Sequence, residues 1–528
     1  MRQMTVFFGL RNFWNLGYLV LWLLSSLPAD AQISAFVTRS GDKLILHDRP
    51  FYFLGANAYY LMESAARGDS STVKEVLSAA SSLGMTVIRT WAFHDSPDSL
   101  DPSVIQYRPG AFNERALRAL DYVVLQAKLN NVKVVLTLVN SWDDYGGMNQ
   151  YVRWRSGFPL KNIDEPPQKY SQEDQYAVVL GQKRQSYRVA LSDALGHDDF
   201  YTDPLIRSWY RDFATHLLQR VNSYAGTMYK DEPAIFGWEL ANEPRSSDRS
   251  ATIVRNWVEE MSDFMKSVDP NHLIGTGEEG FDKSPAGYAT SYYNDQSWMF
   301  NGSTGTSFTV NTSLPSIDFA SIHLYPENWN VSNSSGNVWI RDHIRISGAA
   351  GKPLLMGEFG VTRLKASTYS SWLTTALLDG AAGAIVWQLL DRMRNDAEGF
   401  GIHCPEDATV CATITSSAEQ FNAKSISGTL QPPPTILLRQ NYPNPFNTQT
   451  TIEYTLPVDS HVVLTLWNSL GQKVLMLVDA VQRAGVRREI LDPRVLSSGP
   501  YFYRLEVEPL ASGSANRFSA NGKLMFLR

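Results

Sequence analysis

The chain has only two cysteines in 528 residues. That excludes a dense disulfide framework, and two cysteines alone make a poor metal site, so no metal and no cofactor is expected. The pair, Cys404 and Cys411, lies close in sequence and in an oxidising compartment predicts a loop-closing disulfide, with two free thiols as the alternative. Positive charge is not in excess either. The formal net charge of -6 gives no footing for a nucleic-acid partner. Long apolar runs are missing beyond the N-terminus. The one present, Leu16 to Leu27, is shorter than the roughly 20 residues a bilayer-spanning helix needs. Arg2 and Arg11 precede it and Ala29-Asp30-Ala31 follows it, the layout of a secretory signal peptide over residues 1–31, cut before Gln32.

What is present is a repeating rhythm. Between residues 32 and 425 short apolar runs alternate with helical patterns: FLGANAYY from Phe53, TVIRTW from Thr86, KVVLTLVN from Lys133, AIFGWELANE from Ala234, HLIGTGEEG from His272, FASIHLYP from Phe319, PLLMGEFG from Pro353 and GAIVWQLL from Gly383. Continuous apolar strands suit a parallel sheet buried on both faces. Helices are predicted near Thr72–Ser82, Glu114–Asn130, Ala251–Val268 and Tyr369–Leu378, and one starting at Asp203-Pro204 with Ile206, Trp209, Phe213, Leu217 and Val221 on one face. The fold class is therefore α/β, a (β/α)8 barrel. Phe281 to Ser316 reads as loop rather than helix, and a polar insertion from about Gly157 to Gly196, with Tyr170, Tyr176 and Tyr187, should emerge on the catalytic face. Pro432-Pro433-Pro434 marks a stiff linker over residues 426–436. Residues 437–528 read as short alternating strands, a small all-β sandwich.

A barrel of this kind carries its chemistry at the C-terminal ends of its strands. Read together, those ends supply Asn57, Tyr59 and Tyr60; Arg89 and Trp91; Asn140 and Trp142; Asn242 and Glu243; His323 and Tyr325; Glu358; and Trp387. Two carboxylates across one mouth, flanked by tryptophan, point to glycoside hydrolysis, where one acid protonates the leaving oxygen and the other attacks the anomeric carbon or activates water. Glu239, deeper in the fourth strand, reads as a buried, paired carboxylate. Pro244 biases Glu243 towards extended backbone. Arg89 within reach of Glu358 would hold that carboxylate ionised, whereas Glu243 needs an apolar or like-charged surrounding to keep its proton.

At these residues the sequence resembles glycoside hydrolase family 5, and within it the endo-β-1,4-mannanases. The likeness spans roughly residues 36–402 and rests on FLGANAYYLM, VIRTWAFHD, LVNSWDDYGG, YKDEPAIFGWELANEP, DFASIHLYPENW and MGEFG. It implies retaining hydrolysis of β-mannan, glucomannan or galactomannan, with Glu243 as acid/base and Glu358 as nucleophile. Arg89, Trp91, Asn140, Trp142, Asn242, His323, Tyr325 and Trp387 would surround the sugar, with Asn242 at the 2-hydroxyl and Trp387 as stacking floor. An exo-β-mannosidase, a β-1,4-glucanase and, from another class, a non-catalytic glycan-binding surface protein stay open as alternatives. The tail, with LRQNYPNPFNTQTTIEYTLP, LWNSLGQKV and SSGPYFYRLEV, resembles the C-terminal sorting domain of type IX secretion. That implies export by the type IX machinery to the outside of the cell or its outer-membrane surface. A monomer is expected.

Overall fold

The computed structural model describes residues 35–156, 196–293, 297–427, 435–441, 444–510 and 517–527. The signal-peptide region, almost all of the 157–196 insertion with its three tyrosines, and the proline run lie outside the described residues. Eight parallel strands form the barrel wall: β1 (Phe53–Asn57), β2 (Val87–Trp91), β3 (Lys133–Thr137), β4 (Ile235–Glu239), β5 (Leu273–Gly275), β6 (Ala320–Leu324), β7 (Leu354–Phe359) and β8 (Gly383–Val386). Their spatial order is the sequence order, with β8 beside β1. The ring closes between β5 and β6 through a single bridge, Gly275 to Phe319. A side chain at Gly275 would force the Phe319 ring to shift, because a Cβ would sit 2.2 Å from it. The barrel strands are buried throughout, which is why they read as unbroken apolar runs.

The flanking helices are α1 (Ser70–Ser82), α2 (Glu114–Leu129), α3 (Pro204–Leu218), α4 (Thr252–Val268), α5 (Ser335–Ala349), α6 (Lys365–Asp379) and α7 (Ala408–Ser427). The start of α3 shows the local code at work. Asp203 caps it, accepting from the backbone N–H groups of Leu205 at 2.8 Å and Ile206 at 3.1 Å, while Pro204 occupies the first turn, where a missing N–H costs nothing. Its inner face buries Ile206, Phe213 and Leu217 as expected. Two residues assigned to that face depart from it: Trp209 is half-buried, and Val221 lies past the helix end, 49% exposed. The sequence patterns passed over α5 and α7. Between β5 and β6, the described residues of 281–316 hold only 3-10 turns and one short helix, Phe308–Thr312, so this connection is mostly loop. Asp282 pins it, accepting from Ser307 Oγ at 2.6 Å and the Thr309 backbone at 3.0 Å. Cys404 and Cys411 form a disulfide that ties the last βα loop to α7.

The tail has its own apolar core, including Ile452, Leu464, Tyr503 and Leu524. It packs a three-stranded sheet, β9 (Leu437–Leu438), β10 (Thr450–Leu456) and β13 (Gly485–Leu491), with a four-stranded one, β11 (Ser460–Asn468), β12 (Lys473–Gln482), β14 (Gly499–Pro509) and β15 (Phe518–Phe526). It touches the barrel beside α5 and α6 through Arg439, Glu453 and Arg488.

Candidate active site

The site is organised around a cation that solvent does not reach. Arg89, on β2, is fully buried, and its guanidinium spans the barrel. Nε donates to Glu239 Oε2 on β4 at 2.6 Å, and Nη1 donates to Glu358 Oε1 on β7 at 2.6 Å and to Asn57 Oδ1 on β1 at 3.1 Å. Nη2 donates to Asn242 Oδ1 at 2.7 Å. Glu239 is thus a buried, paired carboxylate, taking a further bond from Thr137 Oγ1 at 3.0 Å.

The two glutamates singled out from sequence face each other above this hub. A carboxylate oxygen of Glu243, one of Glu358 and a ring nitrogen of His323 all lie within 4.8 Å of one another. Their partners differ. Glu358 receives Arg89 and the Tyr325 hydroxyl, 2.6 Å from its Oε2. Glu243 receives the Trp142 indole N–H on Oε2 at 2.6 Å and meets His323 Nδ1 through Oε1 at 2.7 Å. Burial raises both carboxyl groups above the ordinary glutamate range. At Glu358 this is opposed by His323, by Arg89 and by the Tyr325 bond, and at Glu243 by Arg245, by the Trp142 bond and by Arg89. Burial also pushes the His323 imidazole down, towards its neutral form. Among the described residues this same trio is where three ligating side chains lie close enough to hold a cation.

One expectation about Glu243 fails. Pro244 did not hold it in extended backbone; the residue has φ 51°. The proline only disfavours the right-handed helical region, and the left-handed region was the other way out. Such strain in a residue with a side chain persists where the surroundings hold it, as they do at functional sites.

The remaining residues divide by exposure. Trp387 is half-buried and lies offset-parallel to Tyr59, ring centroids 5.4 Å apart. Trp91 is only 5% exposed and sits behind Tyr59 and Tyr145 in the same aromatic wall. Asn140 is also enclosed, its Oδ1 accepting from Asn242 Nδ2 at 3.1 Å. Both are as enclosed as Asn242, Glu358 and His323. Sequence reading missed Arg245 and Glu279. Arg245 follows Pro244 directly, and its guanidinium lies 5.1 Å from both the Trp142 and Phe281 rings. Glu279, from the EEG segment after β5, grips it with two bonds of 2.6 Å. The signal was there, since β5 was the one strand whose end had been given no residue. Glu398, whose side chain bonds that of Trp387, was missed as well.

A barrel whose strand ends hold paired carboxylates on an arginine hub invites comparison with known proteins. The family model described as GH family 5 beta-mannosidase-like matches residues 34–404. The chain belongs to glycoside hydrolase family 5. A second family model, for the secretion system C-terminal sorting domain, matches residues 440–512. Among family 5 relatives, mannan endo-1,4-beta-mannosidase 2 of Oryza sativa subsp. japonica is 35% identical over 409 residues, covering 72% of this chain and 84% of its own length. The endo-1,4-beta-mannanase structure from Rhizomucor miehei is 33% identical with a TM-score of 0.61, covering 74% of this chain and all of its own. The endo-beta-1,4-mannanase structure from Thermotoga petrophila is 27% identical with a TM-score of 0.63, covering 90% of this chain and 98% of its own.

Proposed function

We propose that this chain is an exported endo-β-1,4-mannanase that hydrolyses mannan, glucomannan or galactomannan by double displacement. The observation that carries the mechanism is the approach of Glu243 and Glu358 to within 4.8 Å through one oxygen of each. Retaining glycosidases hold their carboxyl groups about 5–5.5 Å apart, whereas inverting ones need roughly 6.5–9.5 Å to admit a water. Glu358 attacks the anomeric carbon while Glu243 gives its proton to the departing glycosidic oxygen, leaving a glycosyl ester on Glu358. Glu243, now ionised, takes a proton from water, whose oxygen displaces Glu358 with the starting configuration restored. The difference in partners supports these roles. Burial raises both carboxyl groups, but a guanidinium bonds Glu358 directly and Tyr325 donates to it, which favours its ionised form, whereas Glu243 is bonded by Trp142 and His323 and by no guanidinium. Asn242 reaches towards the 2-hydroxyl, His323 and Tyr325 flank the reacting ring, and Trp142 and Trp387 offer flat apolar faces on which a pyranose can lie.

The choice of mannan rests on the relatives named above, which are mannan-cleaving endo-1,4-β enzymes. The domain division proposed is a signal peptide over 1–31, a catalytic barrel over 32–425, a linker over 426–436 and a sorting domain over 437–528, delivering the enzyme outside the cell through the type IX system. Product analysis on mannan, glucomannan and cellulose tests the substrate assignment, and release of glucan oligosaccharides from cellulose at a comparable rate would overturn it. Glu358→Ala should abolish turnover on every substrate. Glu243→Ala should keep activity on aryl mannosides with good leaving groups, which need little protonation. If both variants lose all substrates equally, the roles are wrong.

A further inference from the structure

Where the tail meets the barrel, five charged side chains gather away from the catalytic residues. Arg341 of α5 and Asp379 at the end of α6 come from the barrel; Arg439, Glu453 and Arg488 come from the tail. Arg488 lies 2.8 Å from Asp379 and 2.7 Å from Glu453. Arg439 Nη1 lies 2.9 Å from Glu453 and 3.6 Å from Asp379. Arg341 lies 3.1 Å from Asp379 and 3.6 Å from Glu453. Burial raises the Glu453 carboxyl, but Arg439, then Arg341 and Arg488, outweigh it and hold the group below the usual glutamate range. Three guanidinium groups therefore face two carboxylates; Arg488 is half-exposed and meets solvent, while the buried excess rests on Arg439, where burial outweighs the attraction of Glu453 and lowers the guanidinium pKa.

The hydrogen-bond inventory shows the same surplus. Arg439 is 5% exposed, and its Nε, Nη1 and Nη2 make no hydrogen bond; the buried Nη2 of Arg341, 3.6 Å from Glu453 Oε1, makes none either, so four N–H-bearing nitrogens face one unbonded carboxylate oxygen. Both arginines line a cavity of about 10 Å³ with Tyr292, Ser334, Asn337 and Gln440. That is close to the space one water-sized occupant needs. Burying an uncompensated charge and unsatisfied N–H donors is costly, and a water would satisfy donors without cancelling charge.

We propose that this cavity binds one small monovalent anion of the chloride class, which completes the seam between barrel and sorting domain. The anion accepts from the guanidinium N–H groups that lack partners and brings the cluster to neutrality. The full-length chain tests this, with sodium chloride exchanged for sodium gluconate at constant ionic strength so that screening does not change. The probe is the backbone amide of Arg439, which donates to the Glu453 carbonyl within the tail sheet and reports how firmly the strand that carries Arg439 is held beside the proposed site. Its hydrogen exchange should slow roughly tenfold when chloride exceeds its dissociation constant tenfold, and Arg439→Gln should remove that dependence. Crystals soaked in bromide should show an anomalous peak between Arg341 and Arg439. Equal exchange rates in chloride and gluconate, or a bromide soak with no peak at the seam, would overturn the proposal. Should Arg439→Gln fail to fold, the bromide soak of the unmodified chain decides alone.

Discussion

Replacing Tyr325 with phenylalanine isolates one bond on the proposed nucleophile. The hydroxyl donates to Glu358 Oε2 at 2.6 Å inside the barrel, and the ring packs edge-on against Phe400 with centroids 5.3 Å apart, so phenylalanine keeps the packing. Hydrogen bonds to a charged group contribute about 1.5–3 kcal/mol. Each pH unit of pKa corresponds to about 1.4 kcal/mol. Losing a donor that favours the ionised carboxylate therefore raises the Glu358 pKa by about one to two units. The sign follows directly. A higher pKa leaves less ionised nucleophile at low pH, so the acid limb of the kcat/KM profile of Tyr325→Phe moves to higher pH by that amount. Above the new limb, the two profiles should come together more closely than they do at acid pH. Initial rates on a soluble mannan across the acid range, with folding monitored by circular dichroism, measure it. An acid limb that stays within about 0.3 units of the wild type would refute the claim that this hydroxyl holds Glu358 ionised.

Arg89→Met should destabilise the fold by roughly 3–5 kcal/mol, the usual loss when one partner of a buried ion pair is removed; a shift in urea unfolding below about 1 kcal/mol would argue against the hub. Gly275→Ala should lose about 1–3 kcal/mol through overpacking, because its Cβ meets the Phe319 ring at 2.2 Å, and an unchanged melting point would mean that the β5–β6 closure is slack. Glu278 is buried and raised to about 7 by desolvation, well above its unfolded value near 4.3. Its contribution is therefore fully present below about pH 4.3 and lost as pH rises towards 7. Glu278→Gln should flatten that part of the stability profile, and an identical profile would show that this carboxyl does not titrate there. Deleting Leu437 to Arg528 should leave turnover on soluble mannan unchanged while blocking export, and a large fall on insoluble mannan alone would favour a binding role for the tail.

The eight strands were legible because a parallel barrel buries both faces of each, which writes them as unbroken apolar runs. Glu243 and Glu358 were legible because strand ends can be counted. The same counting could not tell exposed from enclosed residues at one mouth. Trp91, Asn140 and Asn242 stand at strand ends like Trp142, yet neighbours cover them more fully, and which neighbour covers which depends on loop paths that no periodicity encodes. Helices α5 and α7 were passed over, and both are rich in serine, threonine, glycine or asparagine, residues with weak intrinsic helical preference that packing overrides. Arg245 and Glu279 come together from two different strand ends. Each alone reads as an ordinary surface charge.

Arg89 joins side chains from β1, β4 and β7, and Asn242 beyond the end of β4, to its own strand β2. A barrel assembled with any of these strands out of register would strand a buried charge and misplace the proposed nucleophile in the same stroke. Correct closure and chemical competence are thus inspected by one side chain. For an enzyme expected to leave the cell, a wrongly assembled copy that stays folded but idle should have no stable form to occupy.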